Sequence, residues 1–368
     1  GSYSATKFDY ATSAHRQPGS SFKTFALMTL IHDYQGNPAS TYYVSKPLAP
    51  GWLSSDPTWE VHTAEDSYQG TINITKATIL SDNTVYVQLA ADLGWEKLDD
   101  TARAMGITSP LDGNPSEVIG GLRVGVTPLE MADSYATLSN GGNHVPATII
   151  NKVVFPDGST RDFGNAKSTR VFPYDEAYEG TGVLKQVVTS GTGTPANYGC
   201  PVAGKTGTAN NLENAWFVGY SPRMSTAVWV GYPQGNIPMS DGFGGALAAP
   251  IWNEYMHDAS SGYCGDWKAP EVPFEGKPFF GPFAVTGQPV TAPSTSTGSQ
   301  TKTDTSTTPS GGTGLGSGTT TNQTNNPTLF AQPPQPGATN PTPPPAHNPP
   351  TGGGGGGDGG GTSGSPKH

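Results

Sequence analysis

The chain has 368 residues, and 19 Lys+Arg against 29 Asp+Glu give it a formal charge of −10. An acidic chain without a basic stripe excludes nucleic acid as the expected partner, and with no run of ~18 apolar residues no segment is expected to span a membrane. Charged residues make up 13% of the chain, well below the usual ~25%, and uncharged Asn, Thr, Ser and Gly fill the gap, as is common in exported proteins.

The N-terminal stretch GSYSATKFDY carries neither an initiator Met nor a signal peptide, so the chain is read as a piece of a longer protein. Pro18-Gly19 then breaks the chain, and SSFKTFALMTLI predicts a helix from Ser20 that is apolar around most of its circumference and hence buried. Polar loops are expected up to about Asn73. Residues 83–107, NTVYVQLAADLGWEKLDDTARAMGI, predict one or two helices broken near Gly94. In VTPLEMADSYATLSNGG, Thr127 is the expected N-cap, Pro128 takes the first helical position, Glu130 completes a capping box, and Gly141-Gly142 ends the helix. Val153-Val154-Phe155 reads as a strand entering a turn at Pro156-Asp157-Gly158. Val183, Leu184, Val187 and Val188 mark a further helix, stopped by SGTGTP.

Three short β-rich runs follow, VAGKTGTA, AWFVGYSP and MSTAVWVGYP, joined tightly enough to require antiparallel pairing. GGALAAPIWNEYMHDAS predicts a last amphipathic helix with Leu247, Ile251 and Tyr255 on one face. Helices first, then an antiparallel meander with a helix laid on it, make the fold class α+β. Residues 1–287 are expected to form the folded domain. Residues 288–368 hold Phe330 as their only aromatic residue and Lys302, Asp304, Asp358 and Lys367 as their only Asp, Glu, Lys or Arg. Such a tail has too little apolar surface to offset the entropy of ordering, and is read as a disordered Pro/Gly/Ser/Thr-rich spacer, or as a site of cell-wall or protein contacts.

Serine is a weak nucleophile unless a neighbour takes its proton. In Ser20-Ser21-Phe22-Lys23, Ser20 and Lys23 are three apart and share a helix face, while Ser21 points elsewhere. Burial among Phe22, Phe25 and Leu27 would lower the Lys23 pKa by desolvation and make it a base. The expected nucleophile is therefore Ser20, in a first helical turn that favours negative charge. Ser81-Asp82-Asn83 adds a hydroxyl to relay a proton and a carboxamide to orient a substrate amide; taken alone it is a plain N-cap before a helix. Lys205-Thr206-Gly207-Thr208 adds a cation and two hydroxyls suited to a carboxylate. A glycine inside that strand suggests that another backbone, the substrate's, approaches closely. The amides of Ser20 and Thr208 are the expected oxyanion hole.

S-x-x-K, S-D-N and K-T-G in this order are the signature of penicillin-binding proteins and class A β-lactamases. With RQPGSSFK, SDNTVYVQLA, GVTPLEMADSYATLSNGG, AGKTGTANN, NAWFVGYSP and APIWNEYM, the chain resembles the transpeptidase domain of bifunctional (class A) penicillin-binding proteins over about residues 9–256. The resemblance implies an antiparallel sheet with packed helices, an all-helical subdomain, and Ser20 acylated by the penultimate D-Ala of a peptidoglycan stem peptide. An amine of a second stem would then complete a crosslink, and β-lactams would acylate Ser20 instead. It also implies an extracytoplasmic protein at the cell membrane or wall, held by an anchor and carrying a glycosyltransferase domain, both outside this sequence. With 19 residues before Ser20, the first strands of such a sheet are expected to be missing.

A serine β-lactamase needs a carboxylate base in an E-x-x-L-N loop, which does not occur between S-D-N and K-T-G; Glu117 and Glu130 stand in other contexts. A D,D-carboxypeptidase and a sensor that is acylated without turnover are the other readings. No metal or other cofactor is expected. Cys200 and Cys264 either bridge in an oxidising compartment, from the start of the KTGT strand to the end of the last helix, or remain two buried thiols.

Overall fold

The structure is a computed structural model that describes residue 4 and residues 6–164 and 166–287. The tail expectation for residues 288–368 lies outside the described residues. Asp9 accepts from the Ala11 amide and opens a single turn, α1 (Tyr10–Ser13). Gly19, at φ +55°, turns the chain into a 3-10 segment (Gly19–Phe22) that runs directly into α2 (Lys23–Tyr34). The sequence predicts α-helix from Ser20. The tighter 3-10 winding found there brings residues i and i+3 nearly into register, so Ser20 and Lys23 align more closely than on an α-helix.

The expected loop region contains structure that short irregular spacing had hidden. β1 (Tyr42–Ser45) pairs antiparallel with β2 (Gly70–Asn73), and Asn73 caps α3 (Ile74–Leu80) by accepting from the Lys76 amide. Ser81 ends α3 in the left-handed conformation at φ +58°, and Asp82 caps the next helix. That helix, α4 (Asn83–Leu93), is parted at Gly94 from α5 (Trp95–Met105), as the sequence predicts. α6 (Pro128–Ser139) carries the full capping box of Thr127 and Glu130.

Small antiparallel pairs follow: β3 (Asn143–His144) with β6 (Thr169–Arg170), and β4 (Lys152–Val154) with β5 (Thr160–Asp162) around the expected turn. α7 (Tyr174–Ser190) leads to the central sheet, β7 (Ala203–Thr208), β8 (Asn214–Tyr220) and β9 (Ser225–Gly231), in the order β7-β8-β9. α8 (Ala248–Ala259) closes the series. Among the described residues no strand precedes the Ser20 turn, and no helix is long and apolar enough to cross a membrane.

β8 is buried along its whole length, and its period-2 alternation divides the core. Trp216, Val218 and Tyr220 face the helical half with Phe25, Met28, Tyr135 and Leu184, while Phe217 joins Val188, Trp252 and Met256 under α8. The expected inner face of α8 is the outer one: Ile251 and Tyr255 are 49% and 53% exposed, whereas Ala248, Ala249, Trp252 and Met256 are fully buried. Two alanines allow the helix to approach the sheet closely, and Trp252 fills the space beside Gly219, where a Cβ would lie 2.9 Å from the indole. Cys200 and Cys264 form a disulfide. Past it, the chain returns to α2 and β1 through hydrogen bonds from Lys277 to Gln35, Phe279 to Thr41 and Val285 to Tyr42.

Candidate active site

Two glycines fix how the serine turn meets the sheet. A Cβ on Gly207 would lie 2.1 Å from the Pro18 carbonyl oxygen, and one on Gly19 would lie 2.4 Å from that of Thr208. The backbone that requires a glycine in the strand is thus the protein's own, where the sequence suggested a substrate. Trp216 Nε1 donates to the Gln17 carbonyl at 2.9 Å and holds the same junction from below. Ser21 Oγ, fully buried, donates to the Pro18 carbonyl at 2.7 Å, while the neighbouring Ser20 lines an open groove.

The Lys23 side chain is fully buried, with its amine 5.6 Å from the Tyr86 ring centroid. Nζ lies 2.6 Å from the Ser81 carbonyl oxygen, 2.7 Å from Asn83 Oδ1, 3.0 Å from Ser20 Oγ and 3.3 Å from Ser81 Oγ. Desolvation lowers its pKa from 10.5 to about 7, against an opposing pull from the charge of Asp82. A neutral amine has two N–H bonds and one lone pair. The two carbonyl oxygens accept both N–H bonds, so the lone pair is left for the Ser20 hydroxyl.

Asn83 Nδ2 donates one of its two N–H bonds to the His62 carbonyl at 3.0 Å, while Oδ1 accepts from Lys23. Asn83 thus orients Lys23 and, since it lines the groove and its second N–H has no partner among the described residues, it still has a donor for a substrate amide. Asp82 is occupied too: Oδ1 accepts from Thr84 and the Val85 amide, and Oδ2 from Ser45 at 2.5 Å.

Lys205 is equally buried, and its Nζ donates to Ser81 Oγ at 2.8 Å and to the Thr206 carbonyl at 3.1 Å. Burial, followed by the charge of Lys23, holds its pKa well below the usual lysine range. Its amine thus reaches the groove through the hydroxyl of Ser81. Thr206 Oγ1 is bonded to Thr192 Oγ1 at 2.7 Å, and Thr208 Oγ1 accepts from the Gly244 amide at 3.2 Å, which frees its own O–H to donate. The Ala209 amide donates to the Asn214 carbonyl. In the antiparallel alternation, the amide of Thr208 then points away from β8 toward the unpaired edge where Ser20 sits.

Ser20, Ser81, Asn83, Thr206 and Thr208 line one groove of about 380 Å³. Other lining residues had no motif to announce them. They are Thr192 from the turn after α7, Phe243 and Gly245 from the loop before α8, and Thr63 and Glu65 from the β1–β2 connection. Neither carboxylate named in the sequence lines it. Glu130 is engaged by Thr108, Ser109 and Thr127; burial alone would raise its pKa, but these donors bring it to about 2. Glu117 is buried beside Asp99, and desolvation and that neighbour push its pKa up. Among the described residues no group of three or more His, Cys, Asp or Glu is placed to hold a metal ion.

The family model described as "Penicillin binding protein transpeptidase domain" matches residues 2–257. Penicillin-binding protein 1A of Neisseria cinerea is 30% identical over 279 residues, covering 72% of this chain and 34% of that protein. The protein of the same name from Neisseria gonorrhoeae is 31% identical over 278 residues, again 72% and 34%. The chain thus spans about a third of the length of these curated relatives. Among solved structures, PonA1 from Mycobacterium tuberculosis in complex with penicillin V superposes with a TM-score of 0.64 at 29% identity, covering 74% of this chain and 76% of that one. Penicillin-binding protein 1A from Haemophilus influenzae, at 22% identity and a TM-score of 0.66, shares the fold over 74% of this chain and 46% of its own. With the family model covering more than two thirds of its length, this chain belongs to the penicillin-binding protein transpeptidase family.

Proposed function

We propose that this chain is a serine D,D-transpeptidase acting on D-Ala-D-Ala stem peptides of peptidoglycan. The observation that carries the proposal is the fully buried Lys23 amine, its Nζ 2.6 and 2.7 Å from two carbonyl oxygens and 3.0 Å from Ser20 Oγ. Ser20 Oγ attacks the penultimate D-Ala carbonyl carbon as its proton passes to Lys23 Nζ. The amides of Ser20 and Thr208 receive the oxyanion. When the C–N bond breaks, the proton moves from Lys23 through the Ser81 hydroxyl to the departing amine, and D-Ala leaves. An acceptor amine then attacks the ester, loses its proton along the same route, and Ser20 recovers its hydrogen. Lys205 holds Ser81 in line through its N–H bond, behind the Thr206 and Thr208 hydroxyls, where the substrate carboxylate docks.

A β-lactam carbonyl would enter the same path and stop at the ester. The family is one of cell-envelope enzymes, and the Cys200–Cys264 disulfide supports an extracytoplasmic location, since such bonds persist in oxidising compartments. Incubation with penicillin followed by peptide mass mapping tests the reading. A single adduct on Ser20, absent from Ser20→Ala, is expected. An adduct on another residue, or none on folded protein, overturns it.

A further inference from the structure

Glu65 lines the groove of Ser20, and its carboxylate makes no hydrogen bond or ion pair among the described residues. The other carboxylate lining the groove, Asp82, has both oxygens occupied. Glu65 stands at the exposed tip of a turn closed by the Asp66 amide on the Thr63 carbonyl at 3.2 Å. The turn is braced on both sides. Thr63 Oγ1 donates to the Ser67 carbonyl at 2.9 Å and accepts from the Ser67 amide at 3.0 Å. His62 bonds Glu60 at 2.8 Å, Tyr68 at 2.8 Å and Asp66 at 3.2 Å, and its carbonyl accepts from Asn83. Glu60 and Asp66 are thus engaged with His62, whereas Glu65 is presented unpaired on a stiff support tied to the S-D-N segment.

The groove therefore carries two kinds of charge recognition. Hydroxyls backed by the buried Lys205 suit an anion, and one unpartnered carboxylate suits a cation. The proposed reaction takes one substrate of each kind, a donor ending in a carboxylate and an acceptor whose amine arrives as an ammonium. We propose that Glu65 is the acceptor-recognition residue, accepting hydrogen bonds from the incoming ammonium and holding it beside the Ser20 ester until it loses its proton. Acylation by the donor does not need the acceptor, so Glu65 serves only the second half of the reaction. This rests on the transpeptidase reading above.

The test uses the whole chain with an acyl donor ending in D-Ala-D-Ala and a D-amino acid as the amine probe. It measures the ratio of aminolysis to hydrolysis together with the rate of acylation by penicillin. Glu65→Gln is expected to lower the ratio about fivefold at subsaturating amine and raise the apparent KM for the amine, with penicillin acylation unchanged; Glu65→Asp keeps most of the ratio. A Gln variant that partitions like the parent chain overturns the assignment. So does one that loses penicillin acylation in equal measure, because Glu65 would then serve both halves of the reaction, or one that loses hydrolysis selectively, because Glu65 would then serve water. If the parent chain takes no penicillin on Ser20, the transpeptidase reading fails first, which separates the two failures.

Discussion

The floor and the rim of the groove are built on opposite electrostatic terms. On the floor, Lys23 and Lys205 are fully buried, and no carboxylate pairs with either amine among the described residues. Burying an ammonium without a partner is expensive, so the floor drives its lysines toward the neutral amine. On the rim, Glu60, His62, Asp66 and Tyr68 sit at the surface and satisfy one another. There burial alone would lower the His62 pKa, but its hydrogen bonds to Glu60 and Asp66 raise it. Desolvation favours the neutral amine on the floor, and local pairing braces the turn on the rim. Asn83 joins the two, donating to the His62 carbonyl and accepting from Lys23.

The contrast can be broken most severely from the floor. Replacing Lys23 by Met removes the proton acceptor, and penicillin acylation of Ser20 should slow by about 10³-fold, within the usual range for a lost general base. Stopped-flow acylation that falls less than tenfold would show that the amine is not the base. Gly207→Ala comes next. Its Cβ would meet the Pro18 carbonyl at 2.1 Å and Trp216 Cβ at 2.9 Å. Overpacking of this kind destabilises by about 2–3 kcal/mol, and displacing the Ser20 turn should slow acylation by about 10²-fold. Unchanged thermal unfolding and acylation would mean that the junction is softer than described.

A gentler change, far from the floor, sharpens the comparison by leaving the chemistry intact. The Cys200–Cys264 bridge closes a sequence separation of 64 residues. Replacing both cysteines by Ser should lower stability by about 3–4 kcal/mol, mostly through the freed unfolded chain. The acylation rate at temperatures below unfolding should not change. A parallel loss of acylation would show that the bridge positions the KTGT strand.

Much of the floor was legible because it is written in short covalent spacings. S-x-x-K, S-D-N and K-T-G each place their polar atoms within a turn or a strand, and the capping box at Thr127 and Glu130 is equally local. The three strands were legible from β-branched and aromatic runs joined by short turns. Misreadings arose where a choice depended on tertiary contact. α8 offers two apolar faces at helical spacing, Leu247/Ile251/Tyr255 and Ala248/Trp252/Met256, and close approach to Gly219 selects the smaller one. The reason for Gly207 required knowing that Pro18 lies against it. Thr63, Glu65, Thr192 and Phe243 come from connections without periodicity, so only the folded chain gathers them around Ser20.

The proposed acylation requires Lys23 to give up its proton near neutral pH, and the pH dependence of Ser20 acylation by penicillin tests this most directly. Because its pKa is lowered to about 7, the neutral, proton-accepting form grows as pH rises. The acylation rate should therefore climb from pH 5 and level off above pH 8, with a midpoint near 7. A rate that keeps climbing to a midpoint near 10, as for an ordinary lysine, or one that is flat across the range, would contradict it.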